Sequence, residues 1–299
     1  MSEAIDLSGI IPPILTPTDE HDRVDEPALR KSVRRLVEAG VHGLFLGGTA
    51  GEGPLLVDGE WRRLMEIVQD EAAGRVPVLG GVQDTSTRKV LNKIAWLREL
   101  GYAHFVVTPT FYIPVRSPQE HLRLFAACHE AAGGMEMIGY NIPQVTGSVV
   151  AVETFCEAAR RGWMRHCKES SGDLEYLRRL VTEGGALGLR VLMGDERNSA
   201  AGLAAGAVGL VNVGCNVEPA TYLRLYAASL RGDADEMTRQ QQRIVRIIEE
   251  VVLSGPCFLA GPKYVLSKLG IGRGTPVSPL EPADEAQARR IDRFLSESA

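Results

Sequence analysis

The feature that most constrains this chain is an alternation repeated eight times. Short β-rich runs fall at 10–15, 43–46, 76–80, 103–107, 135–140, 164–168, 190–193 and 208–211. Each is followed by a stretch of helical spacing, at 26–39, 59–73, 86–100, 118–131, 152–160, 174–182, 198–205 and 220–230. Gly or Pro stands at most joints, where a chain must turn. Strands that alternate with helices imply a parallel sheet. Eight such units within about 250 residues predict a closed α/β barrel, the (β/α)8 or TIM barrel. Its expected extent is residues 1–232. A doubly wound open sheet is the alternative, but no G-x-G-x-x-G follows an early strand and no G-x-x-x-x-G-K-[ST] occurs. Gly270-Ile271-Gly272-Arg273-Gly274 comes late, after a helical stretch, and reads as a loop. Residues 233–299 show helical spacing at 236–253, 258–269 and 284–296. Such helices need a surface to pack on, so they are expected as a C-terminal extension of the barrel within a single structural unit.

A formal net charge of −5 disfavours a general nucleic-acid-binding role. The basic pairs Arg30-Lys31 and Arg34-Arg35 lie on an amphipathic stretch and read as a solvated face. Five scattered cysteines without a C-x-x-C pair suit a reducing, cytoplasmic setting better than a disulfide framework or a zinc site. Residues 1–6 are acidic and carry no apolar signal core. The most apolar stretch, 200–217, is broken by Gly202, Gly206, Gly209, Asn212 and Gly214, so it reads as helix then strand and not as a membrane span. The six histidines show no H-E-x-x-H or similar ligand spacing, and neither a metal nor a cofactor is expected.

Three strand ends carry chemistry. Lys168 closes the run 164–168 and is followed at once by Glu169-Ser170-Ser171-Gly172-Asp173, a turn opening a helix. In a barrel that position is the mouth, where such folds react. An amine held partly out of water there can attack a carbonyl and form a Schiff base. A lone lysine is more often a solvated loop residue; its companions set this one apart. Leu46 to Gly53 holds four glycines in eight residues, so its backbone N–H groups can form a nest for a carboxylate or phosphate, with Thr49 adding a hydroxyl. A simple structural turn is the competing reading. Gly139-Tyr140-Asn141-Ile142-Pro143 places a phenol at the mouth, where it can move protons or simply pack as a half-buried aromatic. An anion cradle, a phenol and an amine on one face suit a 2-oxo acid.

Gly48-Thr49-Ala50-Gly51-Glu52, Tyr140-Asn141-Ile142-Pro143 and Lys168-Glu169-Ser170-Ser171-Gly172-Asp173 resemble the signatures of the dihydrodipicolinate synthase / N-acetylneuraminate lyase family. Further matches are Gly9-Ile10 through Leu15-Thr16-Pro17, Gly194-Asp195-Glu196, Gly206-Ala207-Val208-Gly209 and Gly261-Pro262-Lys263, so the resemblance spans nearly the whole chain. The family comprises pyruvate-handling class I aldolases on a (β/α)8 barrel with C-terminal helices. The resemblance implies that Lys168 forms the imine and Tyr140 moves the protons. It implies that Thr49 orients Tyr140 by a hydrogen bond, and that Gly48, Thr49 and the Ala50 N–H hold the pyruvyl carboxylate. Val211 would offer its carbonyl. A second relay tyrosine often comes from a neighbouring subunit; here the aligned position is Phe111, with Tyr112 one residue later. The resemblance also implies a homo-oligomer, commonly a tetramer, with pyruvate and an aldehyde as partners.

Departures bear on the substrate. The family's synthases carry an arginine two residues after the Tyr-Asn-x-Pro proline to grip the aldehyde's carboxylate; this chain has Val145. The 4-hydroxy-tetrahydrodipicolinate synthase activity is thereby disfavoured. Ala50 replaces a second threonine, removing one hydroxyl from the carboxylate site but not the N–H. Asp195 and Glu196 either accept hydrogen bonds from a polyhydroxylated chain or cap the helix near Asn198. The preferred expectation is a lyase on a 2-keto-3-deoxy sugar acid or related 4-hydroxy-2-oxo acid. A dehydratase or hydratase-aldolase, a non-catalytic 2-oxo acid sensor, a metal-dependent aldolase and a purely structural barrel are the rivals.

Overall fold

The computed structural model describes residues 7–297, so the acidic start at 1–6 lies outside it. Eight parallel strands form one sheet: β1 Gly9–Ile10, β2 Leu44–Leu46, β3 Val78–Gly81, β4 His104–Val107, β5 Glu136–Asn141, β6 His166–Glu169, β7 Arg190–Met193 and β8 Gly209–Leu210. Each pairs with its sequence neighbour from β2 to β8, and β8 pairs with β1. The ring closes through a parallel bridge between Pro13 and Phe45, with Ile14 N–H donating to Phe45 O at 2.8 Å. The first run is therefore shorter as a strand than the 10–15 expected from sequence. Pro12 and Pro13 have no N–H to donate, so the ladder thins to single contacts there.

The helices are α1 Glu26–Glu38, α2 Asp58–Ala72, α3 Thr87–Glu99, α4 Pro118–Ala131, α5 Pro143–Thr146, α6 Val152–Arg160, α7 Leu174–Arg179, α8 Ser199–Ala204, α9 Pro219–Arg231, α10 Ala234–Ile247, α11 Ala260–Lys268 and α12 Glu285–Ser296. Their starts are written in local chemistry. Asp25, Ser86, Asp173, Asp233 and Asp284 each accept a backbone N–H of the first turn, and Ser117 with Glu120 forms a reciprocal capping box on α4. Two stretches expected as plain helix widen into π-helical turns, Leu180–Gly184 after α7 and Ile248–Val252 after α10. The one-turn α5 was not expected.

The barrel is filled from within by Leu7, Ile11, Phe45, Leu79, Val106, Ile138, Tyr140, Leu192 and Val211. Alternate strand residues point inward, as the two-residue period of a strand requires. A larger apolar layer lies between strands and helices. Helix α10 packs along α9, and α11 and α12 pack against the π turn at 248–252. A buried ion pair ties this tail to the barrel mouth: the Lys263 ammonium meets the Glu52 carboxylate, and Val277 N–H donates to the same carboxylate at 2.6 Å. Among the described residues no helix is long and apolar enough to cross a membrane.

Candidate active site

Strands β5 and β6 carry Tyr140 and Lys168, the phenol and the amine singled out from sequence. Their register pairs Tyr140 with Lys168 and Asn141 with Glu169. Because strand side chains alternate, the first pair faces the barrel mouth and the second faces the surrounding helices. The outer pair is a buried clamp. Asn141 Nδ2 donates to Glu169 Oε2 at 2.8 Å, Val150 N–H donates to Asn141 Oδ1 at 3.1 Å, and Ser171 N–H donates to Glu169 Oε1 at 2.5 Å. Burial pushes the Glu169 carboxyl above the usual range, against the pull of those hydrogen bonds.

The inner pair lies in a chamber of about 320 Å³. Lys168 is only 6% exposed, its Nζ 4.1 Å from the Tyr140 ring centre and 5.2 Å from that of Phe45. Thr49, Ala50, Val145, Val211, Asp195 and Glu196 all line this chamber, so most residues singled out from sequence converge. Gly48 does not. Its Cα side is filled by the Phe45 ring, 2.5 Å from where a Cβ would stand, and its carbonyl accepts Gly53 N–H at 3.2 Å. Gly48 shapes the turn beneath the cradle and is not part of the wall. Gly53 is equally constrained, since a Cβ there would come within 1.9 Å of Gly47 O.

The expected hydrogen bond from Thr49 to Tyr140 is not made among the described residues. The phenol oxygen instead accepts from Ser170 Oγ at 3.5 Å. Ser170 sits two positions after Lys168, on the same face of the strand and its continuation, a relation that the two-residue period contained. Gln144 Nε2 spans the next turn, donating to Ser170 O at 3.0 Å and Ser171 O at 2.9 Å. Gly194 leaves the space these groups use: a Cβ there would lie 1.9 Å from Ser170 Oγ and 2.7 Å from Lys168 Cε.

Asp195 and Glu196 are each tied by hydrogen bonds within the protein and each line the chamber. Asp195 caps the 3₁₀ turn Glu196–Asn198, taking Arg197 N–H at 3.3 Å and Asn198 Nδ2 at 2.6 Å, yet it also lines the chamber. Glu196 is gripped from behind by Tyr222 OH at 2.6 Å and Gly214 N–H at 3.0 Å. Burial pushes its carboxyl up, partly offset by those donors and by the Lys168 charge. Val213, Val252, Leu253 and Phe258 complete the wall. The last three come from the tail, and no local pattern marked them.

A second, apolar cavity of about 250 Å³ adjoins the first across Thr49, Ile142, Val145 and Phe258. Val145 is 50% exposed at this divide. Phe111 lines the second cavity, whereas Tyr112 is 89% exposed with a left-handed φ of 75° and lines neither.

An eight-stranded parallel barrel with a buried lysine and a phenol at the carboxyl ends of its strands defines a TIM-barrel enzyme. The chain belongs to the dihydrodipicolinate synthetase family, whose model matches residues 6–298, and it is a lyase of that family. It is 32% identical over 297 residues to an uncharacterized DapA-like lyase of Halobacterium salinarum, covering 99% of this chain and 95% of that protein. It is 31% identical over 284 residues to N-acetylneuraminate lyase 2 of Escherichia coli, covering 94% and 90%. The crystal structure of dihydrodipicolinate synthase from Aquifex aeolicus superposes with a TM-score of 0.91 at 24% identity, covering 98% of both chains, and so shares the fold.

Proposed function

We propose that this protein is a class I pyruvate lyase that cleaves, or forms, a 2-keto-3-deoxy sugar acid or a related 4-hydroxy-2-oxo acid. The observation that carries the reading is the Lys168 amine, buried beside the Tyr140 ring in a chamber that also holds Thr49 and the Ala50 backbone. The Lys168 amine condenses with the 2-oxo group and releases water, Tyr140 giving its phenol proton to the departing oxygen and so becoming a phenolate. The phenolate of Tyr140 takes the proton of the C4 hydroxyl, the C3–C4 bond breaks, and its electron pair flows to the protonated imine. The aldehyde leaves; the enamine regains a proton at C3, and water releases pyruvate and the free amine. Thr49 and the Ala50 N–H hold the carboxylate, and the Val211 carbonyl borders the imine. Val145 speaks against the 4-hydroxy-tetrahydrodipicolinate synthase reaction, which needs a cation for a second carboxylate. Val145, Val213, Leu253 and Phe258 favour a second reading, a hydratase-aldolase taking an apolar aldehyde.

We also propose that the barrel and residues 233–299 act as one unit, and that the protein is a cytoplasmic homo-oligomer, a tetramer by family likeness. Five unbridged cysteines support the compartment. Exposed Leu55, on the second cavity, and exposed Val57, Tyr112, Ile113 and Val149 support burial against another copy, with Tyr112 offered to a neighbour's relay. Light scattering after size exclusion tests the assembly. The decisive experiment is borohydride trapping of pyruvate, with mass mapping to Lys168, beside a screen of sugar acids and hydroxy-oxo acids for pyruvate release. Lys168→Ala is the blank. Activity that survives in that variant and disappears with a chelator would overturn the mechanism.

A further inference from the structure

We infer that the aldehyde end of this site admits only uncharged groups, so that the 1-carboxylate is the sole anion of the substrate. This rests on the Schiff-base reading above and narrows its substrate class to acids bearing no second carboxylate and no phosphate.

The inference stands on the charges that face the two cavities. Among the described residues no arginine lines either one, and Lys168 is the only lysine. Forming the imine commits that cation to the reacting carbon and to the neighbouring pyruvyl carboxylate, which it balances. Nothing positive is left for a distal anion. The chamber instead presents Asp195 and Glu196. Neither has a cationic partner within ion-pair distance among the described residues. Asp195 is held by Arg197 N–H and the Asn198 amide, and Glu196 by Tyr222 OH and Gly214 N–H. The third carboxylate, Glu52 on the second cavity, is already matched by Lys263.

The apolar wall cannot compensate. The side chains of Val145, Val213, Val252, Leu253 and Phe258 offer no donor, so an anion placed against them would lose water and gain nothing, and Gln144 already gives its amide to Ser170 O and Ser171 O. A carboxylate or phosphate also meets repulsion from Asp195. Two like charges about 7 Å apart, at an effective dielectric of about 20, weaken binding roughly 50-fold. A neutral hydroxylated chain escapes both penalties. Its hydroxyls can donate to the free lone pairs of Asp195 and pair with Ser170, while its carbon skeleton lies on the valines and Phe258. Val145 is the specificity-determining position on the apolar side and Asp195 on the polar side.

The test is borohydride trapping at Lys168, read by mass spectrometry as the concentration giving half-maximal adduct. Two matched pairs are compared: 2-keto-3-deoxygluconate with its 6-phosphate, and 4-hydroxy-2-oxopentanoate with 4-hydroxy-2-oxoglutarate. Pyruvate is the control. Without a pyruvate adduct the Schiff-base reading fails, and this inference with it. With that adduct, in each pair that traps, the neutral-tailed acid is expected to trap at roughly 50-fold lower concentration than its anionic partner. Val145→Arg should then close the gap for the dicarboxylate, and Asp195→Asn should narrow both pairs. Pyruvate trapping accompanied by equal trapping within a pair, by preference for the anionic member, or by trapping of no longer acid overturns the inference while leaving the Schiff-base reading intact.

Discussion

Tyr140 and Lys168 are register partners on adjacent strands, and the lysine amine lies 4.1 Å from the centre of the phenol ring. The same backbone pairing that fixes the sheet thus sets the two side chains proposed to react beside each other. In Tyr140→Phe the ring stays and the hydroxyl goes. The expected outcome is a fall in kcat of about 10²–10⁴-fold, with the pyruvate adduct still trapped by borohydride, more slowly. Steady-state kinetics paired with time-resolved trapping check it; unchanged kcat would assign the proton transfers elsewhere.

Gly194 is required by close approach. A Cβ there would press on Ser170 Oγ and Lys168 Cε at once. Gly194→Ala is therefore expected to lower adduct formation at least tenfold while the far-ultraviolet circular dichroism spectrum and urea midpoint stay near wild type, since the lysine tail can swing aside more cheaply than the strand can. Normal trapping in this variant would mean that the mouth is looser than described.

The Glu52–Lys263 pair joins the glycine-rich turn to α11, both side chains being buried. Burial lowers the Lys263 ammonium below its ordinary range, against the pull of Glu52. Lys263→Met strands a carboxylate inside the protein and is expected to cost about 3–5 kcal/mol, whereas Glu52→Gln combined with Lys263→Met recovers at least half. Urea denaturation of the three proteins measures this.

At the opposite end of the barrel, Glu136 at the start of β5 meets His166 Nδ1 at 2.5 Å and an Arg165 nitrogen at 2.6 Å. Burial alone would raise the Glu136 carboxyl, but these two partners outweigh it and hold it below the usual 4.5. A carboxyl depressed in the folded state adds stability that is full above the unfolded value and is lost as pH falls through the folded one. Glu136→Gln should thus melt lower than wild type at pH 6–7, and the two melting curves should converge as pH falls below the usual 4.5 and through the depressed folded value. Half-maximal pyruvate trapping should not move, because Tyr140 and Lys168 lie at the other ends of the same strands.

The parallel barrel was legible because its signal is repetitive: eight alternations leave few topologies, and periodicity survives local irregularity. Tyr140 and Lys168 were legible as strand ends. What sequence order did not reveal depended on space. Pro12 and Pro13 shortened β1 although their neighbours are β-rich. Gly48 belonged to the glycine-rich turn yet packs on Phe45 and not on the chamber. The Tyr140 hydroxyl is partnered by Ser170 and not by Thr49; the strand period puts Ser170 on the Lys168 face but does not say which hydroxyl comes within reach of the phenol. Val252, Leu253 and Phe258 are far from the motifs in sequence and line the chamber from the end of a π-helical turn and the segment after it.

That last arrangement separates two tasks. Tyr140 and Lys168, the groups proposed to make and break bonds, are anchored in strands, where any shift disturbs the whole ring. Val252, Leu253 and Phe258 hang over the chamber from the end of a peripheral helix and the segment after it. Under the proposed mechanism, residues 252–258 can diverge, and the carbon skeleton taken up change with them, while Tyr140 and Lys168 underneath stay as they are.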